Sequence, residues 1–352
     1  MAIVKMKRLR LIALAQDRDA LLSSLLHVGC VELREPEGEL SEENGAALLH
    51  HDVSLLTDAK GDLNQLQHAI EVLDKYAPRK KPLLSLRPTM KEADLLDAAA
   101  RRSALEKAET INGHARAIGQ LNARETRVHA DRLALQPWEN CDIPLETKGT
   151  AKAEILLGAV PATAELSALA GALDEAAGAA EVRELSVDRE QRYLEILVHK
   201  DCRQEALDAL RSFGFSFAQL KDLTGTAKEN ITRLGRELDE ISAQRNKEIE
   251  AVRQMGSCAN ELQLGLDRVE QVVATESAKE RLLTGGSILY LEGWASVPEI
   301  PQLEKALAKF DCAYELEEPE KEEYPQVPVE LRNGKLVRPM NMVTDMYSLP
   351  AY

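Results

Sequence analysis

Between Ile231 and Val273, apolar residues recur at spacings that alternate three and four. The series runs Ile231, Leu234, Leu238, Ile241, Arg245, Glu248, Val252, Met255, Ala259, Leu262, Leu266, Val269 and Val273; only Arg245 and Glu248 are polar. A 3.5-residue repeat sustained over about six heptads predicts one helix of a left-handed coiled coil. Thr226-x-x-Glu229 has the form of a capping box at its start, and Gly285-Gly286 offers a left-handed stop at its end. A helix of that span is on the order of 85 Å long, more than a globular domain requires.

Such a seam needs partners, and two earlier segments supply them. Leu56, Ala59, Leu63, Leu66, Ile70 and Leu73 keep the same spacing. Ile111, Ile118, Leu121, Val128 and Leu135 form a second seam, interrupted by His114, Glu125 and Arg132 and opened by the capping-box pattern Thr89-x-x-Glu92. Pro78, Pro82 and Pro88 separate the two, and no helix traverses them. The outgoing helices together exceed the returning one by roughly 20 residues, so they are expected to overlap in a short three-helix stretch. Polar residues in a seam cost stability and can set register. Arg245 and Glu248 therefore mark a bend, the place where a third helix joins or leaves, or side chains reaching to solvent from a loosened seam.

The period changes to two on either side of the helical segments. Residues 152–221 read β-α-β-β-α-β, with strands over 154–160, 182–187, 192–198 and 215–220. Pro161 is placed at the start of the first helix, Asp188-Arg189-Glu190 in a turn, Asp201 as a cap and Gly214 as a stop. That order is the ferredoxin-like split βαβ motif. Residues 3–35 and 287–317 each read β-α-β, the first closed by Gly29 and the second opened by Ser296-x-x-Glu299. Joined, they make a second such lobe, interrupted by everything between. Gly158-Ala159-Val160-Pro161 with Leu166 parallels Gly293, Val297-Pro298 and Leu303, which suggests duplication.

Composition narrows the function. With 29% charged and 4% aromatic residues, the chain suits long helices with narrow stripes better than one large core. A net charge of -15 argues against nucleic acid and anionic lipid. Lys5, Lys7, Arg8 and Arg10 form a basic cluster near the start and read as a solvated strand face. Five scattered cysteines, Cys30, Cys141, Cys202, Cys258 and Cys312, show no metal-ligand spacing and read as inert thiols in a reducing compartment. No window approaches the roughly 18 apolar residues of a spanning helix, so the polypeptide is expected to be soluble. There is no phosphate loop, nucleophile elbow or H-E-x-x-H pair. His50-His51 reads as a solvated helix face, and His27 near Cys30 lacks an orienting acid. The run over 317–323 is an acidic linker. No catalytic, cofactor-binding or metal-binding residue is assigned, and no cofactor is expected.

The tail is the most specific stretch: Pro328-Val329-Glu330-Leu331-Arg332-Asn333, then Arg338-Pro339-Met340, then Met346-Tyr347-Ser348-Leu349-Pro350-Ala351-Tyr352. With Met6-Lys7-Arg8-Leu9, Gly29-Cys30-Val31-Glu32-Leu33 and Tyr290-Leu291-Glu292-Gly293-Trp294-Ala295 followed by Pro298, it resembles subunit I of V-type and A-type rotary ATPases, the counterpart of subunit a. The resemblance implies the N-terminal cytoplasmic half of that subunit, ending at Tyr352 before any membrane helix. It implies a stator that holds peripheral stalks of E/G heterodimers, with the C/d component of the central stalk a further partner and the membrane half of the same subunit continuing the chain. Catalysis and the ion path belong elsewhere in such a machine.

The expected fold class is α+β: two ferredoxin-like α/β lobes joined by a long antiparallel coiled coil, a dumbbell, monomeric in isolation. Residues 1–40 plus 286–325 form the membrane-proximal lobe, 41–140 plus 224–285 the arm, 141–223 the distal lobe and 326–352 a linker. The alternative is a regulatory protein binding a small ligand through two ferredoxin-like lobes. A chromosomal-type coiled-coil dimer is disfavoured by the missing phosphate loop.

Overall fold

The computed structural model describes residues 2–36, 50–51, 55–79, 90–178, 180–220 and 223–332. It is a mixed α/β structure with two larger sheets and long helices. Contacts divide the chain into two compact units. The first comprises Met1–Glu71, Arg79–Glu109 and Ser257–Tyr352; the second comprises Val72–Pro78 and Thr110–Gly256.

The sheet of the first unit is built from both ends of the chain. Strand Met6–Leu14 pairs with Ile288–Ser296 on one side and with Cys312–Glu317 on the other, and Ile288–Ser296 also pairs with Val31–Arg34. All these pairs are antiparallel, and the order matches the split βαβ motif expected from the two half-patterns. Helices Arg18–Val28 and Ile300–Leu307 cover one face. Leu9, Leu11, Leu289 and Leu291 meet Leu21, Leu25, Leu303 and Leu307 there, in one buried cluster. Each such leucine contributes about 2 kcal/mol of apolar burial.

Three helices of the first unit converge on Gly265. A Cβ there would lie 2.5 Å from the Ala104 Cβ and 3.5 Å from a Leu66 methyl, so the glycine is what lets the helices close up. Leu66 belongs to Leu56–Tyr76, Ala104 to Ala98–Leu135 and Gly265 to Ala259–Glu280. The expected overlap of the two outgoing helices is present here: the Gln65 amide donates to the Leu105 carbonyl and to Glu109. Lys107 pairs with Glu261, and the Arg268 guanidinium donates twice to the Asp94 carbonyl.

Several local expectations fail, each for a visible reason. Thr89 lies outside the described residues, and Glu92–Leu95 is a single turn. The long helix instead starts at Ala98, where the Asp97 carboxylate accepts from the N–H groups of Ala99 and Ala100 at 2.9 and 3.1 Å. The returning helix is two helices. A 3-10 turn over Met255–Cys258 separates Ala227–Gln254 from Ala259–Glu280. It contains Gly256-Ser257, two weak helix formers, and a Cβ at Gly256 would lie 3.3 Å from the Ala77 Cβ. The second helix stops at Glu280, not at the paired glycines. Leu283–Gly285 is a strand, and Gly286 (φ 60°) makes the turn into Ile288–Ser296. His50–His51 is a strand paired with Leu283 and Thr284, not a helix face. Ser296 caps nothing: its hydroxyl donates to the Glu299 carboxylate at 2.6 Å, and a 3-10 turn precedes the helix.

In the second unit, Ala153–Pro161 lies between Gln191–His199 and Ser216–Phe217, with Ala180–Val187 pairing the outer side of Gln191–His199. This again is the split βαβ order. Helices Leu166–Ala177 and Arg203–Ser212 cover one face through Leu169, Leu173 and Leu210 on Leu194, Ile196 and Val198. Asp188 makes the hairpin turn by accepting from the N–H groups of Glu190 and Gln191. Pro161 ends its strand opposite Gln191, and the helix opens only at Leu166. Asp201 is not the cap; its N–H donates to His199 Nδ1 within the 3-10 turn Lys200–Cys202. The last strand keeps two residues of the six expected.

The helices of the second unit explain the polar seam positions. Ala227–Gln254 opens with the expected capping box, Thr226 and Glu229 bonding each other's N–H groups. Its Glu248 meets His114 Nδ1 at 2.6 Å, and its Arg245 pairs with Glu125. Four polar interruptions of the two seams are thus partners of one another rather than side chains directed to solvent. Arg124 pairs with Glu237 at 2.6 Å, which with His114–Glu248 fixes an antiparallel pairing. Arg132 is exposed. Val128 and Leu135 pack on Leu234 and Ile241. The third helix ends nearby: Arg253 Nε donates to the Tyr76 carbonyl at 3.3 Å.

Two substitutions test the packing of the first unit. Gly265→Ala is expected to cost about 1–3 kcal/mol by overpacking, and Ala104→Gly in the same chain to recover much of it, as read by urea denaturation. The second concerns Glu276, which accepts from Leu55 N at 2.8 Å and from Lys279 at 2.9 Å. Burial alone would raise its carboxyl, but these bonds outweigh burial and hold it below the usual glutamate value. A depressed carboxyl stabilises the fold above its unfolded value and loses that contribution as pH falls through its folded value. Glu276→Gln is therefore expected to lower the urea midpoint at neutral pH and to flatten its decline in acid.

Candidate docking face

Among the described residues no three His, Cys, Asp or Glu side chains are grouped as a metal would need. The five cysteines are not disulfide-bonded. Burial pushes the thiols of Cys30, Cys141, Cys258 and Cys312 up, the opposite of an activated nucleophile. Cys30 packs against the first core, while His27 is exposed. What remains is the face of each sheet that its own helices leave uncovered.

Opposed residues in antiparallel strands share a face, so register maps that surface. On the first sheet one row reads Glu315, Arg10, Glu292 and Arg34 across four strands. The next row reads Ala313, Ile12, Tyr290 and Leu283, and beyond it Leu14 faces Ile288. Arg8 faces Trp294 on the other side of the charged row.

The charged row is internally neutralised. The Glu292 carboxylate is 3% exposed, with Arg8 Nε at 2.6 Å, Arg34 Nε at 3.7 Å and the Tyr290 hydroxyl at 3.4 Å. A second Arg8 nitrogen reaches Glu323 at 2.8 Å, and Arg10 reaches Glu317 at 3.3 Å. The basic cluster read as a solvated face is therefore partly a structural network: Arg8 and Arg10 are paired, while Lys5 stays exposed. Burial, reinforced by the Glu292 charge, pushes the Tyr290 phenol up. Beyond this row the apolar half lies open, with Ile12 48% and Ile288 44% exposed.

The second sheet is treated differently. Trp138 and Cys141 lie over its outer face with Leu157, Leu185 and Tyr193, and the Trp138 and Tyr193 rings meet edge to face at 5.3 Å. Its edge strand is partly covered as well, since Asn140 donates to the Leu185 carbonyl and Ser186 to the Pro137 carbonyl. Leu197 remains exposed beside half-buried Ile155. On the first sheet the uncovered apolar surface is that of Ile12 and Ile288, with half-buried Tyr290 beside them. The alternation of strand Met6–Leu14 is the sequence signal for it; the partner rows depend on register, which no single strand reveals.

No protein-family model matches the chain. A curated relative, A-type ATP synthase subunit I of Methanocaldococcus jannaschii, is 22% identical over 377 aligned residues that take in 99% of this chain. The chain is a homologue of V/A-type ATPase subunit I. It spans about half the length of that relative, 53%. A solved structure titled "Crystal structure of the cytoplasmic N-terminal domain of subunit I, homolog of subunit a, of V-ATPase" aligns over 88% of this chain and 99% of that one, at 14% identity and a TM-score of 0.42.

In this subunit I homologue, the residues that carried the resemblance have structural tasks. Glu292 ties Arg8 to Arg34, Trp294 packs against Met6, and Gly293 admits the neighbouring strand: a Cβ there would lie 2.5 Å from the Glu32 carbonyl oxygen. Gly158 does the equivalent in the second lobe, where a Cβ would fall 2.1 Å from the Phe215 ring. The tail beyond Arg332, which carried the rest, lies outside the described residues. Arg8→Met leaves the buried Glu292 carboxylate without its nearest cation and is expected to cost about 3 kcal/mol in urea denaturation, with Glu292→Leu in the same chain recovering most of it.

Proposed function

We propose that this chain is the stator arm on the cytoplasmic side of a V/A-type rotary ATPase. It takes no part in ATP chemistry and links peripheral stalks to the ion-translocating membrane half of the same subunit. The observation that carries the reading is the alignment of nearly the whole chain with subunit I. The physical structure supports it. A stator must resist torque without turning over a substrate. Here antiparallel helices are held by apolar seams and by cross-helix pairs such as Glu125–Arg245, and both sheets serve as packed platforms.

Under this reading the partners are E/G stalk heterodimers, with the C/d component of the central stalk a further one. The open half-face of the first sheet, around Ile12, Tyr290 and Ile288, is the surface on which a stalk helix lays its apolar stripe. Immobilised chain is expected to retain an E/G heterodimer. Ile12→Glu with Ile288→Glu is expected to cut retention at least tenfold while lowering the thermal midpoint by only a few degrees, because both side chains are about half exposed. A wild-type chain that retains no stalk protein contradicts the stator reading. Retention unchanged in the variant moves the contact to another face.

A further inference from the structure

After strand Cys312–Glu317 the chain does not leave the first lobe. It runs past a 3-10 turn at Tyr324–Gln326 and returns across one end of the sheet's outer face. Three kinds of contact hold it. Glu323 pairs with Arg8, which is already committed to buried Glu292, so the segment is joined to the charged row of the sheet. Val327, 5% exposed, packs on Met6 and Trp294, which lie on that face. The Val4 N–H donates to the Glu330 carbonyl at 2.9 Å, and Leu331–Arg332 pairs antiparallel with Ala2–Ile3.

We propose that Glu318–Arg332 is a clamp, closed by Glu323 and Val327, that fixes the direction in which the chain leaves the first lobe. Composition alone reads the first part of this stretch, Glu317 to Glu323, as an acidic linker. The fold gives it a different status. Each contact is of a different type and engages a different strand: an ion pair on Met6–Leu14, an apolar plug reaching Trp294 of Ile288–Ser296, and a two-residue ladder on the first residues of the chain. A flexible tether needs none of these. Pro325 and Pro328 flank Val327 and restrict the backbone on either side of the plug, lowering the entropy lost when the clamp closes. The importance of a fixed exit rests on the stator reading, in which load passes between this lobe and the membrane half. The clamp itself is a property of the chain alone and is tested on the chain alone.

The test is residue-resolved hydrogen exchange on the whole chain, comparing wild type with Glu323→Gln/Val327→Asn. In wild type the Val4 amide is expected to be protected well beyond an unstructured peptide. In the variant it is expected to exchange at least tenfold faster, while the amides of Leu9 and Leu291 in the sheet centre keep their rates. An unprotected Val4 amide in wild type, or an unchanged one in the variant, overturns the proposal. Should the double variant loosen the whole lobe, Glu323→Gln alone is read in the same way, because it leaves the Val327 plug in place. Loss of stalk binding plays no part in this readout, so it separates failure of the clamp from failure of the stator reading.

Discussion

The pairing of Met6–Leu14 with Ile288–Ser296 is the contact on which the first unit depends. It joins residues nearly the whole chain apart, nine opposed pairs running from Leu14 with Ile288 to Met6 with Ser296. Met6–Leu14 also carries Cys312–Glu317 on its other side, so one strand holds the sheet together. Its inward leucines, Leu9 and Leu11, anchor the core under both helices, and its outward Arg8 holds Glu292. Because the two halves of the sheet are so far apart in sequence, whatever lies between must depart and return. Antiparallel helices are the compact way to do so, and they are what the intervening segments form.

Two devices then hold the helices in place. Where three of them meet, Gly265 removes the side chain that would keep Ala104 and Leu66 apart. Where two pair, His114–Glu248 and Glu125–Arg245 sit in mostly apolar seams. A sliding pair of heptad helices keeps its apolar contacts almost intact at one-heptad offsets, so leucines alone specify register weakly. Offset pairs leave four half-buried polar groups without partners, which costs more than the pairs contribute when made. The polar positions therefore weaken the seam in general and strengthen one alignment of it.

Much of this architecture is legible in residue patterns. The period of 3.5 locates the helices, and the period of two with its β-α-β order gives both lobes their topology. Arg245 and Glu248 are recognisable as anomalies, but their partners are not, because His114 and Glu125 lie on a different segment and only register brings them together. The expected single return helix fails at Gly256, where heptad spacing persists through a turn that backbone propensity breaks. The outer face of the first sheet is hidden from a local reading for the same reason: Arg8 and Arg10 look solvated until Glu292, Glu317 and Glu323 arrive from the other end of the chain. Local sequence reports periodicity and caps; it does not report which distant carboxylate a given arginine meets.

The register of the helix pair is the central claim, and charge reversal at Glu125 and Arg245 tests it most directly. The quantity to measure is the coupling free energy from urea denaturation of Glu125→Arg, Arg245→Glu and the double reversal. Each single reversal places like charges together in the seam and is expected to destabilise, while the double reversal restores stability to near the wild-type value. Single reversals that are harmless, or a double reversal whose loss is the sum of the two, contradict the pairing and with it the register.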